Sequence, residues 1–207
     1  MLKLKDYKVI YSSKTIEYGN ISVNENEFIG LYGSSGCGKT SLLDSIFSPN
    51  FKGTVSYSDA TLFNKDLSSI GIEKYKHASY CPQFSQDALN PKLTVSEHIQ
   101  LTLRGNKLGS DDAEINHMLN ELSLESNILN SYPYMLSGGQ KQRVVILLSV
   151  IKNPKMIVLD EPSSALDLIT MTTIVNFLYK VRKNKTIIMV SHNRGMLNKL
   201  CEKIIEL

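Results

Sequence analysis

The sequence has 207 residues, 42% hydrophobic and 21% charged, an ordinary globular balance that supports one large domain or one core with an inserted lobe. A net charge of +3, with lysines scattered rather than gathered, leaves no electrostatic footprint for nucleic acid. Cys37, Cys81 and Cys201 match no metal-ligand spacing and suit a reducing cytosol. The longest apolar run, residues 144–151, falls far short of the ~20 residues that span a bilayer, and residues 1–8 alternate apolar side chains with Lys and Asp, unlike a targeting segment.

Residues 2–11 read as an edge strand, 12–14 as a turn, 16–23 as a second strand and 24–27 as the turn that feeds a third. Tyr7 or Tyr11 could stack on a purine ring, and each could equally be a half-buried strand tyrosine. Residues 28–32 form a short apolar strand, and GSSGCGKTS follows at 33–41, opening a helix over 40–46. This fits the phosphate-binding P-loop pattern in the strand–loop–helix setting that it requires. Gly33, Gly36 and Gly38 let the backbone approach phosphate oxygens, with Ser34, Ser35 and Cys37 between them. The amides opening the helix face an anion with the helix dipole behind them. Lys39 can reach terminal phosphates, the Thr40 hydroxyl is placed for Mg²⁺, and Ser41 closes the loop.

Residues 48–80 look loop-rich, with strands at 54–57 and 78–81 and a solvated His77. Gln83 opens a polar loop closed by Pro91. The pattern then turns helical. Leu93, Val95 and Ile99 mark one amphipathic segment, and Ile115, Met118, Leu119 and Leu122 repeat at i, i+3, i+4, i+7 behind an Asp111-Asp112 cap. His98 and His117 read as helix-surface residues, and this lobe offers no catalytic candidates of its own.

At 136–140 stands LSGGQ. Ser137 suits an N-cap, and Gly138 and Gly139 expose amides at a second anion-ready helix terminus; the plain alternative is a capped helix with a Gly-Gly turn. Residues 156–159 form a buried parallel strand that ends in Asp160-Glu161-Pro162, carboxylates where an α/β sheet places ligand chemistry. Asp160 is placed to hold Mg²⁺ through water and Glu161 to lie beside a terminal phosphate. A helix carrying Ile174, Val175, Leu178 and Val181 follows, then a buried strand at 186–190 that delivers Ser191 and His192. A strand-end histidine in register with a strand-end Asp-Glu suits phosphate chemistry. Residues 193–200 form a short helix, and Ile204-Ile205 a last strand. The alternation predicts an α/β fold, a P-loop core of largely parallel sheet flanked by helices, with an N-terminal antiparallel β subdomain. Residues 1–90 and 136–207 supply the core, and about 91–135 an inserted α-helical subdomain.

With P-loop, glutamine loop, LSGGQ, strand-Asp-Glu, Ser-Ala-Leu-Asp and Ser-His in this order, the whole chain resembles the ATP-binding subunit of an ABC transporter. The resemblance implies ATP and Mg²⁺ as ligands, with residues 33–41 as Walker A, Gln83 as the Q-loop residue and metal ligand, and Ser137, Gly138, Gly139 and Gln140 in the signature. It makes Asp160 the end of Walker B, Glu161 the catalytic glutamate, Asp167 the end of the D-loop, His192 the switch histidine and Tyr11 the adenine-stacking aromatic. It also implies partners: a second ATPase subunit, identical or related, that completes each ATP site from outside, membrane permease subunits, and an extracellular binding protein if the system is an importer. The protein is then expected on the cytoplasmic face of the membrane. Leu89-Asn90-Pro91 after the glutamine loop and Gly36-Cys37-Gly38 in the P-loop are similar to the peptide and nickel importer branch. An exporter, or a soluble ABC ATPase of translation or repair, stays open as an alternative. Three features depart from the family pattern: Asn193 follows the histidine where Asp is usual, Ser163 stands where many have Thr, and the importer branch's C-terminal extension has no counterpart here.

Overall fold

A computed structural model describes the chain except residues 163–166 and the side chain of Gln86. Short, continuous apolar runs form the centre. Strands β8 (Met156–Asp160) and β9 (Thr186–Val190) are buried at every position, and β3 (Phe28–Tyr32) nearly so. Together with β7 (Ala78–Cys81) and β10 (Lys203–Glu206) they form a parallel sheet in the order β10-β3-β9-β8-β7. Burial on both faces is why these strands read as continuous rather than alternating apolar runs.

Successive side chains enter opposite cores. Val158, Ile188 and Leu31 face the cluster that holds Leu42, Leu43 and Ile46 of α1 (Lys39–Phe47) and the inner face of the antiparallel sheet. Ile157, Leu159, Ile187 and Met189 face the cluster built with α5 (Gly138–Ile151), α6 (Leu168–Val181) and α7 (Arg194–Leu200). The inserted helices α3 (Val95–Gly105) and α4 (Asp112–Glu121) place Ile99 and Leu119 in that same second cluster. Thr94 and Glu97 form a reciprocal capping box on α3, and Asp111 caps α4.

The antiparallel sheet corrects one expectation. Strand β1 (Leu2–Ile10) is interior, not an edge: it pairs with β2 (Thr15–Val23) on one side and with β4 (Thr54–Ser56) and β5 (Asp59–Leu62) on the other, and β6 (Lys65–Asp66) pairs with β5. A strand with one covered face alternates in the same way whether or not it has two neighbours. Here the second neighbour is β4, within the strand expected at 54–57, together with β5, from a stretch that reads as loop. Tyr7 is also corrected. It has no exposed surface, its hydroxyl lies 2.9 Å from the Ser45 hydroxyl, and its ring stacks on Tyr57, so it is closed to a purine. His77, expected in solvent, precedes β7 at the end of the one-turn helix α2 (Lys74–His77) and packs edge-on against Phe63.

Because α3 and α4 share a core with the sheet, Leu119→Ala is expected to lower the stability of the whole chain by about 2–5 kcal/mol. Calorimetry should show one transition displaced downward; a separate early transition would mean that the helical lobe unfolds independently.

Candidate nucleotide site

Four neighbouring parallel strands end side by side. Leu31 is level with Val190, Val190 with Asp160, and Cys81 with Leu159. The P-loop leaves β3, His192 follows β9, Glu161 follows β8 and Gln83 follows β7. Lys14, Ser35, Gly36, Gly38, Lys39, Thr40, Ser41, Gln83 and Glu161 line one cleft of about 290 Å³.

The loop's shape depends on two glycines in left-handed conformations, Gly36 (φ 83°) and Gly38 (φ 104°). A Cβ at Gly38 would sit 2.7 Å from the Tyr18 hydroxyl, which donates to the Gly38 carbonyl at 2.8 Å. Lys39 opens α1 and is 6% exposed; its Nζ donates to the carbonyls of Gly33 (2.8 Å) and Ser34 (2.9 Å), so the ammonium lies over the loop. The Cys37 sulfur is 3.9 Å from the same ammonium. Ser34, Ser35 and Gly36 are exposed along the rim.

Asp160 is 1% exposed, and neither carboxylate oxygen has a hydrogen-bond partner. Burial raises its pKa above the usual carboxylate value; the Thr40 hydroxyl nearby lowers it in part, while the Glu161 and Asp44 charges push it up again. A buried carboxylate left unpaired is costly and calls for a cation. Thr40, whose hydroxyl acts on that carboxylate, lines the cleft together with Gln83, and the oxygens of these three side chains are hard donors that suit Mg²⁺. Among the described residues no cluster of His, Cys, Asp and Glu makes a metal centre by itself.

Glu161 takes φ 47°, uncommon for a residue with a side chain, and its N–H bonds the Val190 carbonyl at 3.0 Å. Its Oε2 lies 3.2 Å from Nδ1 of the exposed His192. Asn193 caps α7 by accepting from the Met196 N–H at 3.0 Å, a task open to Asn as well as Asp.

Other sequence-predicted residues lie elsewhere. Ser137 caps α5: its hydroxyl accepts from the Gln140 N–H (3.2 Å), and the Gln140 side chain accepts from the Ser137 N–H (2.9 Å). Ser137 and Gly138 are exposed, and neither they nor Gly139 line the cleft around the P-loop. Asp167 caps α6, while Ser164 to Leu166 of the same motif lie outside the described residues. Tyr11 is half-buried, packs edge-on against Phe51, and does not line the cleft. Two residues escaped the sequence reading. Lys14 lines the cleft from the β1–β2 turn, where a lone lysine after two serines was the available signal. His98 accepts from the Asn90 N–H at 3.0 Å and so braces the turn after the glutamine loop.

The sequence profile described as ABC transporter matches residues 17–164. The chain belongs to the ABC transporter family. It is 29% identical over 223 aligned positions to the dipeptide transport ATP-binding protein DppD of Caldanaerobacter subterraneus subsp. tengcongensis, covering 99% of this chain and 68% of that protein. To the putative hemin import ATP-binding protein HrtA of Staphylococcus aureus it is 35% identical over 203 positions, covering 94% and 89%. A dimeric, post-hydrolysis ATP-binding cassette bound to ADP and Pi superposes with a TM-score of 0.80 at 28% identity, over all of this chain and 94% of that one. This ABC chain is therefore an ATP-binding, ATP-hydrolysing subunit of a transporter, with the α/β cassette fold that its sequence implies. Among the described residues no helix is long and apolar enough to cross a membrane.

Asp160 supplies a test of the site's electrostatics. Its raised pKa means that the folded state gains most at acidic pH and loses stability as pH rises through the folded value. Asp160→Asn is expected to raise the melting temperature of the nucleotide-free protein at pH 7 by about 2–4 °C, with the difference vanishing in acid. The same change should abolish Mg²⁺-dependent ATP turnover. A melting temperature that falls at pH 7 would show that the carboxylate is already compensated.

Proposed function

We propose that this ABC subunit hydrolyses ATP in a site shared between two copies or close relatives, and that closure of the pair drives import through membrane permease subunits. One observation carries this reading. The P-loop, Gln83 and Glu161 converge on one cleft, with His192 held to Glu161, yet the anion-ready start of α5 is exposed outside it. A second subunit placed head to tail would bring Ser137, Gly138, Gly139 and Gln140 to the phosphate that Lys39 holds, and ligand-dependent pairing then follows from mass action.

In this mechanism Lys39 exchanges two loop carbonyls for the β- and γ-phosphate oxygens, a stronger charge-assisted contact. The amides of Ser34, Ser35, Gly36, Cys37 and Gly38 and the Ser41 side chain cradle the phosphates, and Tyr11 stacks on the adenine. Thr40 and Gln83 would hold Mg²⁺, with Asp160 acting on it through water, and the cation would supply charge neutralisation on the phosphates. Glu161 takes a proton from the water whose oxygen attacks the γ-phosphorus, and the bond to the bridging oxygen breaks, leaving ADP and phosphate. His192, fixed by Glu161, donates to the γ-phosphate oxygens, while Asp167 keeps the geometry between subunits. Loss of phosphate removes the contacts across the interface, and the pair reopens.

The helical subdomain, about residues 91–135 between core segments 1–90 and 136–207, passes this motion on through the Gln83 loop. Beside that loop lies a groove of about 440 Å³ between β7, α3 and α5, where Leu101, Val145 and Leu148 offer apolar surface and Lys152 a charge. Leu101 is 54% exposed and Phe84, next to Gln83, is 53% exposed. A cytoplasmic segment of a permease seated here would hold the subunit at the inner face of the membrane. Relatives named for dipeptide transport and hemin import, with the Leu89-Asn90-Pro91 turn, favour import of a peptide, nickel or a metal chelate delivered by an extracellular binding protein.

Glu161→Gln is expected to cut turnover by about 10²–10⁴-fold while ATP still binds, so that the variant elutes as a dimer with ATP and as a monomer with ADP. A variant that stays monomeric in ATP, or turns over like the parent, would sink the shared site. Lys39→Ala should weaken ATP binding by at least ~10-fold in calorimetry, because a charge-assisted contact is lost. Unchanged affinity would remove Lys39 from the phosphates.

A further inference from the structure

The first turns of α5 and α6 are in contact with no spare room. A methyl group at Gly139 would lie 3.0 Å from the Thr170 hydroxyl oxygen and 3.3 Å from its Cγ2. Thr170 is 7% exposed, and both of its donors are committed to one carboxylate: its N–H reaches Asp167 Oδ1 at 2.8 Å and its hydroxyl reaches Oδ2 at 2.9 Å. A helix cap needs only the first of these bonds. The second fixes the carboxylate in rotation and turns the Thr170 side chain toward Gly139.

Gly139 is held a second time by Arg143. The guanidinium Nε donates to the Gly139 carbonyl at 3.1 Å, while Nη1 reaches the carbonyls of Leu122 and Ser123, both at 2.9 Å, just past the end of α4. Asp167 acts on Arg143 as well: burial lowers the guanidinium pKa, and the Asp167 charge raises it. Gly139, Thr170, Asp167 and Arg143 thus form one junction. It joins the α5 terminus to the end of the 164–167 motif and to the tip of the helical lobe.

We propose that Thr170 is a positioning residue: its hydroxyl, by locking Asp167 against the start of α5, makes Ser137 to Gln140 and Asp167 meet the second subunit as one preorganised surface. This rests on the shared-site reading above. Without the lock, each ATP-driven closure must order two segments separately, and the competent fraction of the subunit falls.

The test uses Thr170→Val, which keeps shape and the N–H cap but loses the hydroxyl, and Thr170→Ser, which keeps the hydroxyl. Both are made in the Glu161→Gln chain, and ATP-driven dimerisation is followed by sedimentation with Mg²⁺ and ATP. Loss of this part-buried hydrogen bond should raise the protein concentration at half-dimerisation by about tenfold in Thr170→Val, with Thr170→Ser close to its parent. Affinity of the monomer for ADP, read by calorimetry, should not change, because Thr170 does not touch the P-loop cleft. With Glu161 restored, Thr170→Val should lower kcat at unchanged KM. Dimerisation of Thr170→Val equal to its parent would overturn the proposal, as would an equal defect in Thr170→Ser or a loss of ADP affinity. A Glu161→Gln parent that fails to dimerise would instead remove the shared site itself.

Discussion

Hydrogen bonds between parallel strands fix where the chemistry of this subunit takes place. The ladder that joins β3, β9 and β8 continues beyond the strand ends: the Ser191 N–H bonds the Leu31 carbonyl at 3.2 Å, and the Glu161 N–H bonds the Val190 carbonyl at 3.0 Å. These two bonds carry sheet order into the loops that bear His192 and Glu161. Ser35 and Glu161, 126 positions apart, come to line one cleft because the strands behind them lie side by side and are buried at nearly every position. Side chains mounted this way need little reorganisation when substrate arrives, the condition under which fixed charges act most strongly on a phosphoryl group.

Two charges sit on this frame in opposite conditions. Lys39 is buried but satisfied, with its ammonium bonded to two carbonyls of its own loop. Asp160 is buried and unsatisfied. The first can trade its partners for phosphate, and the second gains only when a cation arrives. In the proposed mechanism nucleotide and Mg²⁺ would each answer a different one of these two charges. Residues far from the cleft serve a different purpose: the capping box at Ser137 and Gln140 keeps the α5 terminus formed at the surface.

Much of this was legible in the sequence where a local pattern determines the outcome. The buried runs at 28–32, 156–160 and 186–190, the left-handed glycines of the P-loop, and the caps at Asp111 and Ser137 all take the predicted form. What escaped depends on partners distant in the chain. Nothing in residues 2–10 tells an interior strand from an edge strand, since its second neighbour is the short, half-exposed β5. Tyr7 and Tyr11 are equivalent aromatics in sequence, and what separates them is distant in the chain: Ser45 and Tyr57 enclose Tyr7, whereas Tyr11 meets Phe51 and stays half-exposed. His77 looks polar until Phe63 packs on it. Thr170 and Gly139 are thirty-one positions apart, and their tight contact leaves no periodic trace.

Under the role proposed for Glu161, folding and activity pull this position in opposite directions. Its left-handed backbone, held by the Val190 carbonyl, costs about 1–3 kcal/mol relative to a relaxed residue, a cost that glycine would escape and asparagine would reduce. Physical stability thus pulls this position away from glutamate in every generation. A duplicated copy relieved of its work in the cell should drift there early, toward Gly or Asn, and keep its fold while it does so.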